Sequence, residues 1–272
     1  MTVVSRIGSV PYTSNLDDAL ALVDTDAMRV AEDFFGLSDI VKGDVRLSRA
    51  LTDPARSGDD KEKLARDAFG SSVTEACMTV LVAIVRDHWS KPEALHDALE
   101  VLGILSVLTD AHRASRLLEV EAELFEVRHF LAGQRELRLR LSDLGTGTSH
   151  ERGDLATRLF SQHLTGWTMR LLRRAVGRSR HGRLLVNLRR FAEWAARMQN
   201  KLLVTVESAV EMNAEQAARL RALLERRFNA DISLAISVDT SVVGGFRLRA
   251  DTTSIDASLA TRIADMRRVL AS

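Results

Sequence analysis

The chain has 272 residues, 46% of them hydrophobic and 28% charged, which is enough for two or three domains with ordinary cores. Lys and Arg number 38 against 37 Asp and Glu, so the overall balance argues neither for nor against a polyanionic partner. The single cysteine, Cys77, excludes an internal disulfide.

No apolar run approaches the length of a membrane span, and Met1–Pro11 lacks the core of a signal peptide. A soluble protein, or one held at a membrane only through a partner, is therefore expected. Three prolines and 5% aromatic residues in a Leu-, Ala-, Arg- and Glu-rich chain predict a mainly helical fold.

In chain order, helices are predicted over Asp17–Val23, Met28–Val41 and Asp44–Leu51. A loop at Asp53–Asp59 carries Pro54 and Gly58. Helical stretches at Asp60–Phe69 and Val73–His88 follow, separated by Gly70-Ser71-Ser72. Ser90 with Glu93 three residues on reads as an N-cap and capping box for a helix from Ala94 to about Leu108, with Leu95, Leu99 and Leu102 on one face. A further series begins near Leu117, with a loop at Leu144–Gly153 and helices at Leu155–Phe160, Trp167–Val176 and Gly182–Asn200. Cys77, between Ala76 and Met78, reads as a small buried helix residue.

The second series repeats the first. Phe35, Leu47, Leu51 and Asp53 meet Phe125, Leu137, Leu141 and Asp143 at an offset of 90. After a one-residue slip, Leu64, Phe69, Met78 and Leu81 meet Leu155, Phe160, Met169 and Leu172. A shared offset across two loops, at helix-like spacing, marks a tandem duplication. The expected architecture is two tandem antiparallel helical bundles, 1–108 and 109–200, followed by a small α/β domain over 201–272.

That last part alternates strand and helix. Leu202–Val210 is rich in branched residues, and Ile232, Leu234, Ile236 and Val238 alternate with smaller or polar ones. Phe246 and Leu248 alternate with Arg247 and Arg249. Asn213 with Gln216 is a capping-box start for a helix bearing Ala217, Leu220 and Leu224 on one face. Asp251–Ser254 reads as a polar turn. After Asp256, Leu259, Ile263, Met266 and Leu270 fall at i, i+4, i+7 and i+11, as on a helix. The predicted order is β-α-β-β-α.

Residues 158–201 hold eleven Arg and Lys against one acid, Glu193. A basic face of this kind can bind phosphate backbones, so a helical nucleic-acid-binding or regulatory adaptor is the alternative reading. Against it, no nucleic-acid-reading motif accompanies the segment, and Trp167, Phe191 and Trp194 stand at helix-core spacing. A face complementary to an acidic protein partner, or a merely solvated face, accounts for it better. The seven histidines are scattered without metal-ligand spacing. Neither a nucleophile elbow nor a phosphate-binding glycine loop is present. No catalytic residue, metal or cofactor is expected.

Several short motifs in the last part occur in a specific order: Val206, Ser208 and Ala209 as V-x-S-A, then Val238-Asp239, then Val243-Gly244-Gly245-Phe246, then Ile255-Asp256 with Ser258. In this combination, with the amphipathic helix at the right distance, the chain resembles the delta subunits of F-type ATP synthases, the bacterial relatives of the oligomycin-sensitivity-conferring protein. It departs from the family pattern in having Val243 before the glycines and no glycine before Asp251. The family's N-terminal domain, a bundle of about six helices, is similar to one copy of the repeat. The second copy matches better, through Glu123-Leu124-Phe125 and Asn187-Leu188-Arg189-Arg190-Phe191-Ala192.

The doubled bundle suggests the long actinobacterial form of the subunit. The resemblance implies a non-catalytic stator subunit on the cytoplasmic face of the bacterial cell membrane, reaching the membrane only through the complex. A bundle would hold N-terminal helices of the α subunit, and the C-terminal domain would hold the C-terminal region of a separate subunit b. No nucleic-acid partner is implied.

Overall fold

A computed structural model describes residues 3–8, 10–22, 24–142, 147–178, 183–239, 242, 245–250 and 253–256. It is mainly helical with a small α/β part. After a 3-10 turn at Val4–Ile7 come α1 (Thr13–Leu20), α2 (Ala27–Gly43), α3 (Val45–Thr52), α4 (Gly58–Phe69), α5 (Glu75–Arg86) and α6 (Glu93–Arg113). Then come α7 (Leu117–Gly133), α8 (Arg135–Arg140), α9 (Ser149–Phe160), α10 (Gly166–Arg178) and α11 (Leu184–Met198). The α/β part is β1 (Lys201–Ser208), α12 (Ala214–Phe228), β2 (Asp231–Val238), β3 (Phe246–Ala250) and β4 (Thr253–Asp256).

The duplication is visible in the helix starts. Helices α7 and α8 begin 90 residues after α2 and α3, and α9, α10 and α11 begin 91 residues after α4, α5 and α6. Equivalent side chains share their burial: Leu51 and Leu141, Phe69 and Phe160, and Leu81 and Leu172 are buried in both copies. Leu47 and Leu137, and Leu64 and Leu155, are half-buried in both. Asp143 lies outside the described residues.

Contacts divide the chain into two compact units, Met1–Leu117 with Thr165–Leu171, and Leu118–Leu164 with Leu172–Ser272. In the first, α2 and α6 approach so closely that a Cβ on Gly103 would stand 2.5 Å from the Phe35 ring. Phe34, Phe35, Leu37, Leu51, Met78, Leu81, Ile84, Leu95 and Leu99 fill that core. Cys77 is buried among them, and burial pushes its thiol pKa well up. The Asp17 carboxylate accepts from the Val4 and Ser5 N–H groups at 3.0 and 2.8 Å and from Ser5 Oγ at 2.7 Å, tying the N-terminal turn to α1. In the second unit, Val120, Leu124, Val127 and Leu131 form the buried stripe of α7.

Helix starts follow capping chemistry. Asp26, Asp44, Ser57 and Thr74 accept from first-turn N–H groups, and Thr148 and Asn213 complete capping boxes with Glu151 and Gln216. Ser90 is not a cap: α6 starts from Pro92, with no side-chain cap bond. Proline's fixed φ suits the first turn, which leaves Ser90 outside the helix. The same helix runs beyond Leu108 to Arg113, because nothing between them breaks it. Its buried Ser106 and Thr109 hydroxyls donate to the Leu102 and Leu105 carbonyls, both at 2.9 Å. Residue 108, the expected end of the first bundle, therefore lies within α6. Likewise the expected loop at Leu144–Gly153 gives way to α9 at Ser149, where Thr148 caps it.

The sheet order is β2-β1-β3-β4, with β1 and β2 parallel and the other neighbours antiparallel. Four strands replace the predicted three. Thr253 and Ser254, expected within the Asp251–Ser254 turn, instead pair with β3, since β-branched Thr253 and Ile255 suit a ladder; Asp251 and Thr252 lie outside the described residues. Val204, Val206, Leu224, Ile232, Leu248 and Ala250 form the core between the sheet and α12. The helix predicted after Asp256 lies outside the described residues.

Candidate partner-binding site

The C-terminal motif residues that are described gather at one end of the sheet. Ser208, at the end of β1, is in register with Val238 at the end of β2 and with Phe246 at the start of β3. Arg247 and Leu248 pair with Asp256 and Ile255. Val206 lies two residues further in and is fully buried. The loops are stitched to the strand ends: the Asp239 N–H donates to the Ser208 carbonyl at 2.8 Å, and the Ala209 N–H to the Gly245 carbonyl at 3.3 Å. The Val242 N–H then donates to the Asp239 carbonyl at 3.1 Å. Gly245 has φ +77°, where a side chain would be strained. These residues close the strand ends; they do not converge as a reactive cluster. Val243, Gly244 and Ser258 lie outside the described residues.

A groove of about 720 Å³ runs between α7 and β2. On the helix side, Leu118 is 56% and Phe130 48% exposed, and on the strand Val238 is 43% exposed. Leu118, Ala122, Phe125 and His129 make a second stripe along α7, beside its buried one. The Phe125 and His129 rings stack with centroids 6.4 Å apart.

At the buried edge of the groove, Glu121 accepts from Gln199 Nε2 at 2.9 Å and from Ser233 Oγ. It thereby joins α7, the end of α11 and β2. Burial raises the Glu121 pKa, and the bonds from Ser233 and Gln199 counter part of that shift. Of the groove residues only Val238 belongs to the C-terminal motif set, while Phe125 belongs to the Glu123-Leu124-Phe125 match. A signal for them was present in the sequence: the two apolar stripes of α7, one more than a helix packed on a single side requires.

Several arginines of the basic segment are engaged within the protein. Arg170 is paired with Glu32 and stands 4.7 Å from the Phe35 ring centroid. Arg173 bonds to Asp154 and to Thr157, and Arg189 pairs with Glu193 at 2.7 Å. Arg190 lies over Trp194, while Arg174, Phe191 and Trp194 are buried. Residues so committed do not form the open cationic strip that binding a phosphate backbone requires. Among the described residues, no group of three or more His, Cys, Asp and Glu is arranged to hold a metal ion, and no helix is long and apolar enough to cross a membrane.

The family description "ATP synthase delta (OSCP) subunit" matches residues 105–270, from within α6 to near the C-terminus. Proteins named ATP synthase subunit delta align over almost the whole chain. That of Kineococcus radiotolerans is 35% identical, over 94% of this chain and 92% of its own length. That of Thermobifida fusca is 33% identical over 98% of both chains, and that of Streptomyces avermitilis 32% over 98% of both. The relatives carry the added N-terminal copy along with the part that the family description covers. The chain belongs to the ATP synthase delta (OSCP) subunit family.

Proposed function

We propose that this protein is the stator subunit linking the catalytic head of a bacterial F-type ATP synthase to its peripheral stalk, without chemistry of its own. The observation that carries the reading is the family match over 105–270, which takes in the second helical copy and all but the last two residues of the α/β part. In this reading, 1–108 is an added bundle, 109–200 the bundle shared with the family, and 201–272 the stalk-binding part. A bundle groove holds an N-terminal helix of an α subunit by its apolar anchors, and the α/β part holds the C-terminal region of subunit b. The protein then lies on the cytoplasmic face of the cell membrane, reaching the membrane through the complex alone.

The mechanical argument follows from torque. The rotor turns inside the head, so the head is driven round with it unless something fixed restrains it. Two or more separate contacts restrain it better than one, because the second forms at high effective concentration once the first is made.

Calorimetric titration of the full chain against catalytic heads prepared without their delta subunit tests this at physiological salt. The expected result is saturable binding of one chain per head, lost when the α N-terminal helices are trimmed. No binding at micromolar concentrations would refute it.

A further inference from the structure

The outer strand β2 has a hydrogen-bonding parity that one bond reveals. The Asp239 N–H donates to the Ser208 carbonyl across the parallel β1–β2 pair, at 2.8 Å. The N–H and C=O of one strand residue point to the same side, and successive residues alternate. Ser233, Ala235 and Ser237 therefore turn their backbone groups towards β1. Ile232, Leu234, Ile236 and Val238 turn theirs outward, where the sheet has no further strand among the described residues.

Edges of this kind are usually guarded by a charge, a proline or a bulge. From Ile232 to Val238 this strand has neither charge nor proline. Alongside β2 runs the groove whose other wall is α7, with Leu118 and Phe130 exposed on that wall. Its lining includes the carboxylates of Glu121 and Glu126 and no Lys or Arg.

We propose that this groove takes up an extended segment of a partner protein by strand addition to β2, the segment being apolar at alternate positions and carrying a Lys or Arg opposite Glu126. An added strand pairs the outward N–H and C=O groups of β2, and its alternate side chains enter the apolar trough. A helix in the same place satisfies its own backbone and leaves those groups covered and unpaired, which is costly. The basic residue is called for by Glu126, an exposed carboxylate on the α7 wall of the groove. This inference is separate from the helix-in-groove contacts of the stator reading, and it stands or falls without them.

The test uses the full chain and a synthetic heptapeptide with isoleucine, lysine and isoleucine at its second, fourth and sixth positions and threonine elsewhere. Amide exchange followed by NMR should slow about tenfold or more at Leu234, Ile236 and Val238 on saturation, leaving Ser233, Ala235 and Ser237 unchanged. Of two probes N-methylated on alternate residues, the one blocked on its pairing edge should bind about tenfold more weakly, and the other as well as the parent. Glu126→Lys, an exposed change on α7, should weaken binding of the lysine probe but not of its glutamate counterpart.

Three results would each overturn the proposal: no binding at millimolar probe, equal binding of both N-methylated probes, or unchanged exchange at the even-numbered amides. So would even-numbered amides that are already protected in the free chain and released when residues 257–272 are removed, since the chain's own C-terminus would then occupy the edge.

Discussion

Replacing Gly103 by alanine sets helix propensity against packing. The new Cβ would stand 2.5 Å from Cε1, 2.6 Å from Cδ1 and 3.2 Å from Cζ of Phe35. Carbon pairs are most stable at about 3.5–4.0 Å, so the ring has to retreat by roughly 1 Å. Retreat is blocked. Phe35 is 1% exposed, and the Arg170 guanidinium lies 4.7 Å from its centroid, held there by Glu32. Overpacking costs about 1–3 kcal/mol in general and, with retreat blocked, about 2–3 kcal/mol here, while alanine returns about 1 kcal/mol through helix propensity. The net expectation is a loss of about 1–2 kcal/mol, a fall in Tm of roughly 3–8 °C for a unit of this size. Calorimetric unfolding of the full chain measures it, read as the first unit's transition because two units need not unfold together. Phe35→Leu removes the obstructing ring edge, so the double variant should lose at least about 1 kcal/mol less than the sum of the singles. A Gly103→Ala protein as stable as the parent, or strictly additive singles, would refute the close approach of α2 and α6.

Other variants probe individual contacts. Trp167→Phe removes the bond from the indole N–H to Asp110 Oδ2 at 2.7 Å and should cost about 1.5–3 kcal/mol in denaturant unfolding, as for hydrogen bonds to charged groups. Asp17→Ala frees the Val4 and Ser5 N–H groups, so amide exchange should quicken at both while the α2 core stays protected. Gly245→Ala should lose about 1–2 kcal/mol because its φ of +77° favours glycine. Glu121 has a folded-state pKa above its ordinary 4.5, so the folded protein binds the extra proton between the two values. Stability should therefore fall as pH rises through that window and level off above it. Glu121→Gln should abolish this decline and be more stable than the parent at pH 7, as measured by urea unfolding across pH.

The helical copies were legible because duplication puts equivalent buried residues at a constant offset. Leu51 and Leu141, or Phe69 and Phe160, report the same position in the same packing twice. Cap residues were partly legible. Asn213 with Gln216 formed as read, whereas Ser90 with Glu93 did not, since Pro92 offered a competing start. The strand-end motif could be named from order alone, yet nothing in its spacing says that Ser208, Val238 and Phe246 stand side by side. That follows from the pairing of three strands, two of them parallel through a helix.

What the sequence by itself determined is therefore local or periodic: mainly helical class, the repeat, the amphipathic faces and family membership through ordered motifs. Each depends on residues close in the chain or on a constant offset, so no three-dimensional information is needed to detect it. What only the tertiary structure decided is non-local. It showed β2 as the outer strand, Glu121 bonded to Ser233 more than a hundred residues away, and Arg170, Arg173 and Arg189 engaged by Glu32, Asp154 and Glu193. A charge count cannot tell a solvated cation from a paired one, and an alternating strand pattern reads the same at the edge of a sheet as in its middle. The difference lies in which neighbours the fold supplies.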